Sequence, residues 1–256
     1  MQVSIKTKIE QLEREAQVRV LYACESGSRA WGFASTDSDY DVRFIYCHPT
    51  NWYLSINDQR DVLERPLENN IDLSGWDIRK ALRLFRKSNP PLLEWLDSPI
   101  LYHSRGHFAE HLRELMPQYY SPRACLQHYW HMAQGNFDKY LGGELISQKR
   151  YFYVLRPVLA CQWIETGRGT VPMKFATLVN TLLAPGELTD AVSALLDAKK
   201  RGVELDQAPR IPVIHSFLST ELSRLGEQHG ATEAPATDLI SLDELFRTTL
   251  KEVWEG

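Results

Sequence analysis

The chain has 256 residues, of which 43% are hydrophobic and 24% charged, and its formal net charge is -4. That length allows one large domain or two ordinary ones with a real core, and the acidic balance argues against a generic nucleic-acid coat, which would be strongly basic. No apolar run approaches the ~20 residues needed to cross a bilayer, and the first residues lack the apolar core of a signal peptide. Cys24, Cys47, Cys125 and Cys161 are scattered without a Cys-x-x-Cys pair, so each is expected to be a buried thiol in a protein of the cytosol.

Ile5, Ile9, Leu12 and Ala16 recur at helical spacing and predict a helix over Ser4 to Gln17, with Ser4 capping it. Apolar, β-branched and aromatic runs predict strands at Val18–Cys24 and Asp41–Cys47. From His48 to Asn70 the pattern is loose, with short ordered pieces expected at Trp52–Ile56 and Asp61–Glu64. A strand is expected at Asn70–Leu73, then a helix from about Gly75 to Lys87, capped by Ser74 and ended by Asn89-Pro90. Its basic residues Arg79, Arg83, Arg86 and Lys87 read as a solvated face.

After Tyr102 helical patterns succeed one another at His107–Met116, Ser121–Leu141, Glu144–Thr166, Met173–Leu183, Thr189–Arg201, Pro212–Glu227 and Ser241–Trp254. Residues 227–238 lack periodicity and read as a surface linker. The expected architecture is a mixed-sheet α/β (α+β) domain over residues 1–102, followed by an all-helical domain over 103–256.

The stretch with the most chemistry is Gly27-Ser28-Arg29 followed by Asp39-Tyr40-Asp41-Val42. Small residues after a buried strand turn the backbone and leave N–H groups to meet an anion. In an Asp-x-Asp pair at a strand entrance both carboxylates share one side, where they repel unless a cation lies between them. The pattern reads as a divalent-metal site beside a phosphate-binding turn. An EF-hand loop starting at Asp37 fails, because its sixth and twelfth positions hold Val42 and His48. There is no dinucleotide fingerprint and no P-loop. His107-Phe-Ala-Glu-His111 matches an inverted zinc-protease pattern, but three fixed positions in an exposed helix carry little weight.

Gly-Ser, a gap of about ten residues and Asp-hydrophobic-Asp-hydrophobic resemble the signature of the DNA polymerase beta-type nucleotidyltransferases, and Ile71-Asp72-Leu73 supplies the third carboxylate of that pattern. Asp72-Leu-Ser-Gly-Trp-Asp-Ile-Arg-Lys80, Ser88-Asn-Pro-Pro-Leu-Leu-Glu-Trp-Leu-Asp-Ser-Pro99 and Lys149-Arg-Tyr-Phe-Tyr-Val-Leu-Arg156 resemble one branch, the RNA repair pathway DNA polymerase beta family. The resemblance implies transfer of a nucleoside monophosphate from a nucleoside triphosphate to an acceptor hydroxyl, with an RNA end as the acceptor its name suggests. Two Mg2+ (or Mn2+) ions held by Asp39, Asp41 and Asp72 are implied, with Asp72 nearer the acceptor. Gly27, Ser28 and Arg29 are then expected at the phosphates, and Lys80, Lys149 and Arg156 as further nucleotide contacts. Asp77 and Lys80 also fit a simple helix pair, and Lys149 and Arg156 fit a partly buried helix with charged edges. A protein or small-molecule acceptor, or a nucleotide-binding module without turnover, are the alternative readings.

Overall fold

In the computed structural model residues 2–203, 205–206, 208–227 and 239–255 are described. The chain forms two compact units, one of residues 1–30, 39–120 and 235–256, the other of 31–38 and 121–234. These are not the contiguous halves expected from the sequence. Residue 102 lies inside a strand, and the last helix joins the first unit.

The first unit opens with helix α1 (Gln2–Ala16), which buries Ile5, Ile9 and Leu12. Ser4 lies within this helix and does not cap it. Strand β1 (Arg19–Glu25) follows, then a single helical turn α2 (Gly27–Ala30), β2 (Tyr40–Cys47) and the short α3 (Thr50–Tyr53). A hairpin then joins β3 (Val62–Glu68) to β4 (Ile71–Asp77). Its turn is Asn69-Asn70, both at positive φ, the conformation a tight hairpin requires and asparagine tolerates. Helices α4 (Ile78–Arg86) and α5 (Pro90–Leu96), strand β5 (Leu101–Ser104) and α6 (Phe108–Tyr119) complete this stretch.

The sheet order is β3-β4-β2-β1-β5. Only β2 and β4 pair in parallel; the other neighbours are antiparallel. One face packs on α1 through Val20, Ala23, Val42, Phe44, Ile71 and Leu73. Gly75 in β4 leaves room for the Phe44 ring, since a methyl group there would lie 2.2 Å from it.

The expected helix start at Gly75 is corrected. β4 runs on to Asp77 because Phe44, Ile45 and Tyr46 pair with Gly75, Trp76 and Asp77. Sheet pairing overrides the local Ser-Gly cap signal. Asp77 is the true cap: its side chain accepts from the Arg79 N–H at 2.8 Å and from the Tyr53 hydroxyl at 2.7 Å. The apolar face of α4 is as expected, with Ile78, Leu82 and Phe85 buried, while Arg83, Arg86 and Lys87 are exposed.

The second unit holds α7 (Pro122–Tyr140), started by Pro122 and capped by the Ser121 hydroxyl, which accepts from the Ala124 N–H at 3.2 Å. A 3-10 turn at Gln148–Tyr151 leads into α8 (Phe152–Glu165), then α9 (Phe175–Leu182), α10 (Glu187–Lys200) and α11 (Pro212–Glu227). Ten of the residues of α8 are buried, among them Val154, Leu155, Val158 and Leu159, the signature of a helix surrounded by others. Arg224 of α11 holds the Glu165 carboxylate with both terminal nitrogens, at 2.9 and 2.7 Å. Residues 31–38 belong to this unit: Phe33 stacks on Phe152 at 4.8 Å, and the Phe175 N–H donates to the Trp31 carbonyl at 3.0 Å. The expected linker falls almost wholly on 228–238, outside the described residues. Helix α12 (Ile240–Trp254) ends the chain and packs with α4 and α6. All four cysteines are buried thiols outside any disulfide.

At the far end of β2, His48 lies flat on Trp52 at 3.8 Å, and burial with Arg79 nearby depresses its pKa to about 4. In the unfolded chain a histidine titrates near ~6.5. The unfolded state therefore binds more protons between those values, so this contribution is complete above the unfolded pKa and is lost as pH falls toward the folded one. Urea unfolding of wild type and His48→Gln at pH 7 and pH 5 is predicted to show a smaller difference between the two pH values in the variant. An unchanged difference would mean that folded His48 is already protonated at pH 5.

Candidate active site

Asp41 and Asp72 stand directly opposite each other on the parallel pair β2 and β4. In-register residues of neighbouring strands share a face, and here it is the face opposite the one that carries Val42 and Leu73 to α1. Both carboxylates are only partly buried. Strand neighbours lie ~4.8 Å apart, so two negative charges are held close together by backbone hydrogen bonding alone. Burial raises the pKa of Asp41, Asp72 and Asp39 add to the rise, and Arg43 opposes it.

The phosphate-turn residues meet Asp41 directly. The Ser26 N–H donates to the Asp41 carbonyl at 2.8 Å. Gly27 has φ of 59°, and a methyl group on it would lie 2.1 Å from Asp41 Oδ2. Only glycine meets both conditions. Arg29 bends back along the entrance of β2: its Nε donates to the Asp39 carbonyl at 3.1 Å, and its guanidinium lies 3.8 Å over the Tyr40 ring. Asp39 itself is exposed, one residue before β2 begins. Gly27, Ser28, Arg29, Asp39, Asp41 and Asp72 are thus brought together by β1, α2, β2 and β4.

Two residues of this site were not anticipated from the sequence. Glu25, the last residue of β1, is fully buried. Its Oε1 accepts from the Asp41 N–H at 2.8 Å, and its Oε2 accepts from the Tyr102 hydroxyl. Burial raises its pKa, against those two hydrogen bonds. Glu25 therefore ties β5, the turn and the start of β2 into one unit. An acidic residue ending an apolar strand just before Gly-Ser was the available signal.

Arg43 is the second. Two residues beyond Asp41, it lies on the same face, with Nη2 at 3.1 Å from Asp41 Oδ1 and 2.8 Å from Asp72 Oδ2. Nη1 donates to the carbonyls of Val42 and Asp72 at 3.2 and 3.3 Å. Its spacing from Asp41 was the signal.

The three further expected nucleotide contacts have partners of their own within their units. Lys80 comes after the opposite end of β4; Asp77 is five residues beyond Asp72, or about 16 Å at ~3.3 Å per residue. Lys80 pairs with Asp61 at 2.9 Å. Lys149, in the second unit, pairs with Asp206 at 2.8 Å. Arg156, also in the second unit, is buried in α8 beside the Trp31 ring at 4.8 Å and the Met173 carbonyl at 3.5 Å. In the His-x-x-Glu-His stretch, His107 precedes α6 and its Nδ1 lies 3.2 Å from Glu252 of α12.

The donor set at Asp39, Asp41 and Asp72 is all carboxylate, which suits a hard divalent cation. Burial is the main cause of the raised pKa of Asp41, and among the neighbouring charges Arg43 acts more strongly than Asp72 or Asp39. Among the described residues no group of three His, Cys, Asp and Glu side chains is arranged to hold a metal; two carboxylates converge, and a guanidinium lies between them. In donor chemistry the residues fit.

Gly27→Ala is predicted to displace the Asp41 carboxylate and to abolish Mg2+-dependent stabilisation by nucleotides. The left-handed backbone adds strain of about 1–2 kcal/mol, seen as a lower unfolding temperature. A Gly27→Ala protein that still responds to nucleotide like the wild type would contradict the close approach.

Comparison with known proteins agrees with the resemblance. The model of the RNA repair pathway DNA polymerase beta family matches residues 1–248. An uncharacterised protein of Bacillus subtilis (strain 168), YcgL, is 48% identical over 256 residues, covering all of this chain and 98% of that one. A solved nucleotidyltransferase-like protein from Exiguobacterium sibiricum 255-15 is 11% identical with a TM-score of 0.31, covering 97% of this chain and 76% of that one. With nearly its whole length matched by the family model, and an Asp41–Asp72 pair beside the Gly27 turn, the chain belongs to the RNA repair pathway DNA polymerase beta family.

Proposed function

We propose that the protein is a divalent-metal-dependent nucleotidyltransferase that moves a nucleoside monophosphate from a nucleoside triphosphate to an acceptor hydroxyl, releasing pyrophosphate. The observation that carries this reading is the in-register Asp41–Asp72 pair, with Asp41 Oδ2 against the backbone of Gly27. The family description points to an RNA end as acceptor.

Asp39 and Asp41 are the residues that would hold divalent metal, with Asp72 the third carboxylate of the set. When bound, such a metal would supply positive charge for an in-line displacement. The chain's own groups do the positioning, which is most of what phosphoryl transfer requires. Backbone N–H groups at Gly27 and Ser28, with the Ser28 hydroxyl, hold the β- and γ-phosphates, and Arg29 adds positive charge at the same turn. Glu25 fixes the Asp41 backbone and so sets where its carboxylate stands. Asp72 bonds Arg43 through Oδ2, and its Oδ1 accepts the proton of the attacking hydroxyl.

Thermal unfolding with ATP, GTP, CTP and UTP, each with and without Mg2+, tests the reading. A ligand at 100 times its Kd adds ~2.7 kcal/mol, several degrees at ~2–4 °C per kcal/mol for a chain near this size. The predicted result is a Mg2+-dependent shift with at least one triphosphate that is lost in Asp39→Asn, while Asp41→Asn folds normally and transfers nothing. An Asp41→Asn protein with the wild-type transfer rate would sink the metal assignment.

A further inference from the structure

The setting of Arg43 bears on how many metal ions the site takes, a question that presupposes the nucleotidyltransferase reading. The Arg43 guanidinium is not a loose surface group. Nη1 is held by two backbone carbonyls, one on each of the paired strands, while Nη2 is shared between Asp41 Oδ1 and Asp72 Oδ2. The head is thus fixed by four hydrogen bonds to β2 and β4, the framework that holds the carboxylates themselves. A guanidinium keeps its charge at any working pH and has no lone pair to offer a metal.

Placed between the two carboxylates, it takes one oxygen of each out of metal coordination and opposes a second cation beside it by like-charge repulsion. What remains is uneven. Asp41 Oδ2 lies on the Gly27 side, next to the phosphate turn, and Asp39 stands exposed two residues before it. Asp72, by contrast, takes the shorter contact with the shared guanidinium, 2.8 Å against 3.1 Å at Asp41, and also holds Nη1 through its carbonyl at 3.3 Å.

We propose that Arg43 is a resident cation that stands in for one of the two divalent ions of a two-metal site. The chain takes a single divalent ion, held by Asp39 and Asp41 together with the triphosphate, and Arg43 neutralises Asp72.

The test counts Mn2+ ions by electron paramagnetic resonance, titrating the full chain with Mn2+ in the presence of the α,β-methylene analogues of the four triphosphates, taken in turn. One ion per wild-type chain is expected. Asp72→Asn is expected to change Mn2+ affinity about threefold or less, because Asp72 is already paired with a charge-assisted donor. Arg43→Gln is expected to gain a second ion. Two ions per wild-type chain, or loss of an ion in Asp72→Asn, would overturn the proposal. Arg43→Gln leaves two carboxylates facing each other and can fail to fold; the wild-type count and Asp72→Asn decide without it. A wild-type chain that binds no Mn2+ with any analogue removes the nucleotidyltransferase reading and this inference with it, an outcome distinct from a count of two.

Discussion

Two carboxylates held side by side on paired strands are the constraint around which the first unit is arranged. Two unit charges ~5 Å apart repel by about 3 kcal/mol at an effective dielectric of ~20. The β2–β4 register places Asp41 and Asp72 side by side on one face of the sheet. The fold answers with a guanidinium at 3.1 and 2.8 Å, anchored on both strands.

The elements around the pair read as supports for that placement. Glu25, fully buried, commits its carboxylate to the Asp41 N–H and the Tyr102 hydroxyl. Burying a charge is costly unless it is well bonded, and what it secures here is a fixed start to β2 and a fixed turn beside it. Gly27 lets that turn approach Asp41 more closely than any side chain would permit. The far end of β4 is used differently: Asp77 caps α4 and holds Tyr53, and Lys80 pairs with Asp61. One strand thus carries a candidate catalytic acid near its start and a structural one at its end.

Much of this was legible in the residues alone. Gly27, Ser28, Asp39 and Asp41 stand out as small residues and paired acids beside apolar runs, while Asp72 is picked out by the family resemblance. The later helices declared themselves by period and by caps such as Ser121-Pro122. What stayed hidden depends on non-local pairing. β3 is an edge strand with Pro66 inside it and mostly exposed residues, so no alternation marks it, and the four residues of β5 are too few to read. The extension of β4 through Gly75 is set by its partner β2. Arg43 and Glu25 look like any charged residue in a strand until register puts them against Asp41. The neighbours of Lys149 and Arg156, Asp206 for the one and Trp31 and Met173 for the other, are likewise set by the fold. The return of α12 to the first unit is a property of the fold that no local pattern encodes.

The measurement closest to the central claim tracks the phosphorus atoms. The full chain is incubated with Mg2+, an RNA or protein acceptor, and a nucleoside triphosphate labelled at either the α- or the γ-phosphorus. Nucleotidyl transfer places the α label on the acceptor and releases the γ label as pyrophosphate, and both signals vanish in the Asp41→Asn chain. A γ label on the acceptor, orthophosphate release without transfer, or no transfer from either label would contradict the account.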